Sequence, residues 1–143
     1  MPFWKRKPEP PSLVEHRETC NRYAAMALEA SGVDFDHASQ LRQALIGTFV
    51  FGIVFSECQK QKLEPPQVHA LALCVFQDTL HYTTEAAAQG VQACIDATAP
   101  GVHDTMRAIM HKGIDGHALC EKSKHQELST LICEILNQFP ERG

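Results

Sequence analysis

The chain has 143 residues and a formal charge of −4, with 44% hydrophobic and 21% charged residues. That length predicts one domain, large enough to bury a core without metal or disulfide staples. The composition excludes wholesale disorder, and the acidic balance argues against nucleic acid as a partner.

Residues 1–11 read as a flexible, basic, proline-rich tail ahead of a single all-α domain over 12–143. Lys5, Arg6 and Lys7 outweigh Glu9, and Pro2, Pro8, Pro10 and Pro11 forbid a helix beyond a first turn. The prolines stand where the apolar region of a signal peptide would begin, so a cytoplasmic protein is expected. Phe3 and Trp4 are the tail's apolar bulk. Three basic residues are few for gripping nucleic acid or a membrane, and neither is expected as a partner.

Helix one is predicted over about Leu13 to Ser31. Ser12 and Glu15 form a capping box, Cys20, Ala24, Ala27 and Leu28 recur at helical spacing, and Gly32 is the stop. Asp36 is the expected cap of a second helix over about 37–62. Its middle, Ala44 to Phe55, is apolar on nearly every side, which marks a buried central helix. Val50 to Phe55 alone would also suit a buried strand, but the length of the run and the flanking Arg42, Glu57 and Lys60 favour a helix. The apolar run is too short to span a bilayer. Gly47 and Gly52 each cost about 1 kcal/mol against Ala, which predicts another helix crossing closely there.

Pro65 and Pro66 suit the first turn of a third helix, with Val68, Leu71, Ala72, Val75, Phe76 and Leu80 as its stripe. Thr83 or Thr84 caps a fourth, with Glu85 in its first turn. A fifth is expected from Thr98 and Pro100 to Gly113. Asp115 caps a sixth, carrying Leu119, Leu128, Leu131, Ile132, Ile135, Leu136 and Phe139 up to Pro140. The architecture is thus a bundle of about six helices around helix two, with no repeat.

No catalytic constellation assembles from these residues. The six cysteines show no C-x-x-C and fall mostly at apolar positions, so they read as reduced core residues. No H-E-x-x-H and no phosphate-binding glycine loop is present. Cys120, three residues after His117, is the best nucleophile–base pair of a poor set, without an electropositive setting. A metal-dependent enzyme using His103, Asp104, His111, Asp115 and His117 is one alternative, since eight histidines invite a test for metal. An oligomeric scaffold or regulator, with helix two facing a second copy, is another. The leading reading requires no metal or cofactor and no catalysis; the oligomeric state stays open. Gly113-Ile-Asp-Gly116 is expected to be an exposed interhelical turn, which would make His111, Asp115 and His117 available for binding.

The charge is unevenly placed. From Leu63 to Met106 there is no Lys or Arg, while Glu64, Asp78, Glu85, Asp96 and Asp104 fall there. A face built from these helices would draw in a basic partner. These five carboxylates, with His111, Asp115 and His117, are the candidate partner-binding residues.

The stretches Pro66-Gln-Val-His-Ala-Leu-Ala-Leu73, Ala93-Cys-Ile-Asp-Ala-Thr-Ala-Pro-Gly101 and Met106-Arg-Ala-Ile-Met-His-Lys-Gly-Ile-Asp-Gly-His117 resemble an all-α family of bacterial immunity proteins. It is the family numbered forty-eight among those encoded beside polymorphic toxins, and the likeness covers residues 40–120. The resemblance implies a non-catalytic inhibitor that binds a cognate antibacterial toxin, delivered by a type VI or contact-dependent route. It supplies no functional residues to carry over, and the tail lies outside it.

Overall fold

The computed structural model describes residues 13–140; the expected basic tail and the Ser12 cap lie outside the described residues. Six α-helices follow one another: α1 (Leu13–Ser31), α2 (Gln40–Lys60), α3 (Pro65–Asp78), α4 (Thr84–Ala97), α5 (Asp104–Glu121) and α6 (His125–Gln138). A single 3₁₀ turn at Phe35–His37 precedes α2, and the described residues contain no strand. α2 packs against all five other helices. Around it, α1 touches α6 and α3, α3 touches α4, α4 touches α5, and α5 returns to α6, which closes the ring. The expected all-α bundle around a central second helix is therefore what the chain forms.

The apolar run of α2 becomes the core. Ile46, Phe49, Val50, Phe51, Ile53 and Val54 are all buried, so the strand alternative for Val50–Phe55 is excluded. At 21 residues α2 is long and apolar enough to cross a membrane, so the shortness of the run is no argument against that. Its burial is: 67% of its most apolar window lies inside the bundle.

Four local expectations are corrected. Asp36 does not cap α2; the Ser39 hydroxyl does, accepting from the Arg42 backbone N–H at 3.1 Å. The chain first makes the 3₁₀ turn, which buries Phe35 and stacks it on Tyr82 with ring centroids 6.0 Å apart. Thr98 does not start α5. Its hydroxyl donates to the Ile95 carbonyl and closes α4, Gly101 then turns the chain at φ +81°, and His103 caps α5. Nor does α5 end at Gly113: it runs through Gly113 and Gly116 to Glu121. Asp115 is an exposed mid-helix residue, and the α6 N-cap position belongs to Lys124.

The reason lies in α2. A Cβ on Gly113 would collide with the Phe49 carbonyl oxygen and stand 2.9 Å from the Gly52 Cα. A Cβ on Gly52 would collide in turn with the Met110 carbonyl oxygen. The two helices touch backbone to backbone, so the packing offsets the helix cost of each glycine. The close crossing expected at Gly52 is present; at Gly47 a Cβ would meet only side-chain atoms of Tyr82 and Phe76, the nearest at 3.4 Å.

Candidate functional site

The candidate residues fall in three environments. Glu64, Glu85 and Asp96 are exposed on the α3–α4 side of the bundle. Glu64 is the N-cap of α3, its backbone N–H donating to the Gln67 side-chain oxygen at 2.9 Å. Glu85 lies in the first turn of α4, where a carboxylate favours the helix dipole. Asp96, in the last turn of α4, accepts from Gln92 at 2.8 Å. Between Glu85 and Asp96 the exposed residues of α4 are Ala88, Gln89, Gln92 and Ala93. The outer face of α4 thus mixes alanine with glutamine and is free of Lys and Arg.

Asp78 is engaged elsewhere. The Arg17 guanidinium donates to both its carboxylate oxygens, at 2.6 and 2.8 Å, and Asn21 donates at 2.9 Å. The Arg17 hydrogen bond holds the Asp78 carboxyl below the usual carboxylate range. This carboxylate ties the end of α3 to α1 rather than facing a partner. Asp104 opens α5 and borders a groove against α6 that also contains Lys112 and Glu134.

His111, Asp115 and His117 do not share a loop. His111 and Asp115 are exposed on α5, whereas His117 is only 4% exposed and points at α2. Its Nε2 lies 2.7 Å from Glu57 Oε2 and its Nδ1 2.9 Å from Ser56 Oγ. With the proton on Nε2, the imidazole donates to the carboxylate and accepts from the hydroxyl. Gln61 donates to the other Glu57 oxygen at 3.0 Å. Glu121 approaches Nδ1 at 3.4 Å and is itself paired with Lys60, which lowers the Glu121 carboxyl. The Tyr23 ring meets His117 edge-on at 5.6 Å. A polar network with Glu57 and His117 buried at its centre, and with Lys60 and Gln61 at the surface, therefore lies where α1, α2 and α5 meet.

Ser56, His117 and Glu57 have the order of a hydroxyl, a base and an orienting carboxylate. The setting is wrong for acyl transfer. Ser56 is in the interior of α2, where backbone N–H groups are committed to the helix, so its own helix presents no pair of free donors to an oxyanion. The metal alternative fares no better. His103 Nδ1 accepts the Met106 N–H at 3.1 Å as a cap, and both His117 nitrogens have protein partners. Among the described residues, no three His, Cys, Asp or Glu side chains gather so as to hold a metal ion.

Residues 17–140 match the family described as Immunity protein 48. The chain belongs to that family. No curated protein and no solved structure matches it.

All six cysteines are free; Cys20, Cys58, Cys94 and Cys120 are buried, and Cys74 and Cys133 half-buried. Burial pushes the Cys94 thiol up to about 12 and the Cys120 thiol up to about 11. Cys120 turns its sulfur to the Tyr23 carbonyl oxygen at 3.8 Å, not to His117, so the expected best nucleophile–base pair does not form. Reading residue types missed the Glu57–His117 pair. A signal was available: Glu57 lies three, four and seven residues after Val54, Ile53 and Val50, on the buried stripe of α2.

Proposed function

We propose that this immunity protein neutralises a cognate antibacterial toxin by binding it in the cytoplasm, without catalysis of its own. The toxin meets it on the α3–α4 face. Family membership supports immunity in general; the observation that carries the choice of face is the absence of Lys and Arg from Leu63 to Met106, where Glu64, Glu85 and Asp96 are exposed. Such a field speeds the approach of a basic surface, as a phosphate-gripping nuclease toxin would present. Ala88 and Ala93, on the outer face of α4, lose no rotamer entropy when covered. Delivery of the toxin by a type VI or contact-dependent system belongs to the same proposal.

The test is co-expression with the product of the adjacent toxin gene. Restored growth, together with a one-to-one complex that survives gel filtration, supports the reading. Growth arrest at matched expression, with no complex, overturns it.

A further inference from the structure

Where α3 begins and α4 ends, the bundle surface opens into an apolar groove. Phe51, only 1% exposed, lies at its bottom, and the half-buried Phe55 stacks on it with ring centroids 6.4 Å apart. One lobe, about 320 Å³, is walled by Leu63 and Val68 on one side and by Ile95 and Thr98 on the other. Past Thr98, the same two phenylalanines underlie a second lobe of about 180 Å³, reaching Met110 and Ile114 of α5. Four large apolar side chains, Phe55, Leu63, Val68 and Ile95, are thus left partly uncovered around one hollow.

The surrounding charge has a direction. No Lys or Arg lines the first lobe, although His69 does; Glu64 sits in the chain between its Leu63 and Pro65 and Asp96 follows its Ile95, two carboxylates against the one ammonium of Lys62 before Leu63. The second lobe is bordered by Arg107 and His111. A basic group is welcome beside the first lobe and repelled beside the second.

We propose that this groove receives an anchor side chain of the cognate toxin, aromatic or branched aliphatic, with Lys or Arg beside it on the α3 side. The proposal rests on the immunity reading and adds the chemistry of the contact. An apolar side chain sealed into a concave, dry pocket is where protein interfaces concentrate their affinity, and flanking carboxylates fix its orientation and speed its arrival.

The test uses the full chain and a catalytically inactivated product of the adjacent toxin gene. Val68→Lys and Ile95→Lys are each expected to raise Kd by about 30-fold or more. Thr105→Lys, in the α5–α6 groove, is expected to leave Kd unchanged. If the wild type neither binds nor protects, the immunity reading falls and the groove proposal with it. If the wild type binds and both lysine variants bind as tightly, the groove proposal alone falls. Because lysine at these positions can disturb folding, hydroxyl-radical footprinting of the wild type provides a second measurement. Protection of Phe55, Leu63 and Val68 that appears only with the toxin supports the proposal. Protection already present in the free chain overturns it: concentration-dependent protection means a second copy fills the groove, and concentration-independent protection means the chain's own terminus does.

Discussion

The α2–α5 seam and the α3–α4 face are built by opposite means. At the seam, Gly52 and Gly113 let two backbones touch, and one turn further on the Glu57–His117 pair locks the same helices together from inside. At the face, α3 and α4 bury an ordinary stripe of Leu71, Val75, Phe76, Ala87 and Val91, and turn Ala88, Gln89, Gln92 and Ala93 outward. The seam has no room for change in either volume or charge. The face has room for both, because nothing outside presses on it. Stability is concentrated in one place and the surface available to a partner in another, so substitutions at the two should separate folding from binding.

The largest effect is expected at the buried pair. His117→Ala strands the Glu57 carboxylate in a site only 3–4% exposed, which should cost about 3–5 kcal/mol of unfolding free energy, and Glu57→Ala leaves a buried imidazole N–H without its acceptor, which should cost about 1–3 kcal/mol. The double variant Glu57→Leu/His117→Leu removes both polar groups and should lose less than the two single changes added together. Urea denaturation measures all three. If either single change costs under about 0.5 kcal/mol, the pair is not the lock described here.

The next test makes the same substitution in both regions. Gly113→Ala places a methyl group against the backbone of α2 and should cost about 1–3 kcal/mol. Gly90→Ala, on α4, meets side-chain rather than backbone atoms, the Phe76 ring at 3.3 Å and the Tyr82 ring at 3.5 Å. There the gain of about 1 kcal/mol in helix propensity opposes a small strain, and stability should hold or rise. Thermal unfolding of the two variants sharpens the comparison, and equal losses would break it.

The fold was legible where periodicity carried it and illegible where two signals competed. The long apolar run of α2, the prolines opening α3 and a threonine cap on α4, at Thr83 or Thr84, all speak for themselves. At residues 111–117 two glycines and an aspartate looked like a turn. They are helical because glycine also serves close packing, and the partner backbone of α2 lies some sixty residues away, beyond any local pattern. α5 ends at Glu121 and is closed by Ser123 at φ +53°, with the Lys124 N–H reaching the Leu119 carbonyl, and α2 closes in the same way on Lys62 at φ +57°. Gly113 is the glycine that looks like the end of α5, whereas the end of α2 near Lys62 is marked by the prolines that follow it. The candidate site divides likewise: composition marked the cation-free stretch, but could not show that Asp78 belongs to Arg17 or that His117 is inside.

A smaller effect is expected where α3 leans on α1. The Arg17 hydrogen bonds hold the Asp78 carboxyl below its usual range, so the contact contributes stability above the ordinary aspartate pKa. That contribution is lost as pH falls through the depressed value. Asp78→Asn should therefore lower the melting temperature slightly at pH 7 and not at all in strong acid, where both chains carry a neutral group. The pair is exposed, so screening keeps the difference small and salt reduces it further. A gap between the two chains that widens in acid would contradict the assignment.

For folding, the smallest effect belongs to the outer face. Glu85→Lys and Asp96→Lys reverse two exposed charges that make no contact with the core, so stability should move by less than about 0.5 kcal/mol. Binding should respond instead. Each reversal takes two units of charge from the field that draws a basic toxin in, so the double variant should associate about tenfold more slowly at low salt. Dissociation should change less than association, because neither side chain lines the apolar groove and only Asp96 stands beside it. The gap between wild type and variant should close as salt is raised, since exposed charges a Debye length apart cease to act on each other. Stopped-flow association at several salt concentrations separates this from a packing defect, which would persist in salt. If instead the double variant unfolds early and binds normally, the face carries stability after all, and the division between a rigid seam and a free surface fails.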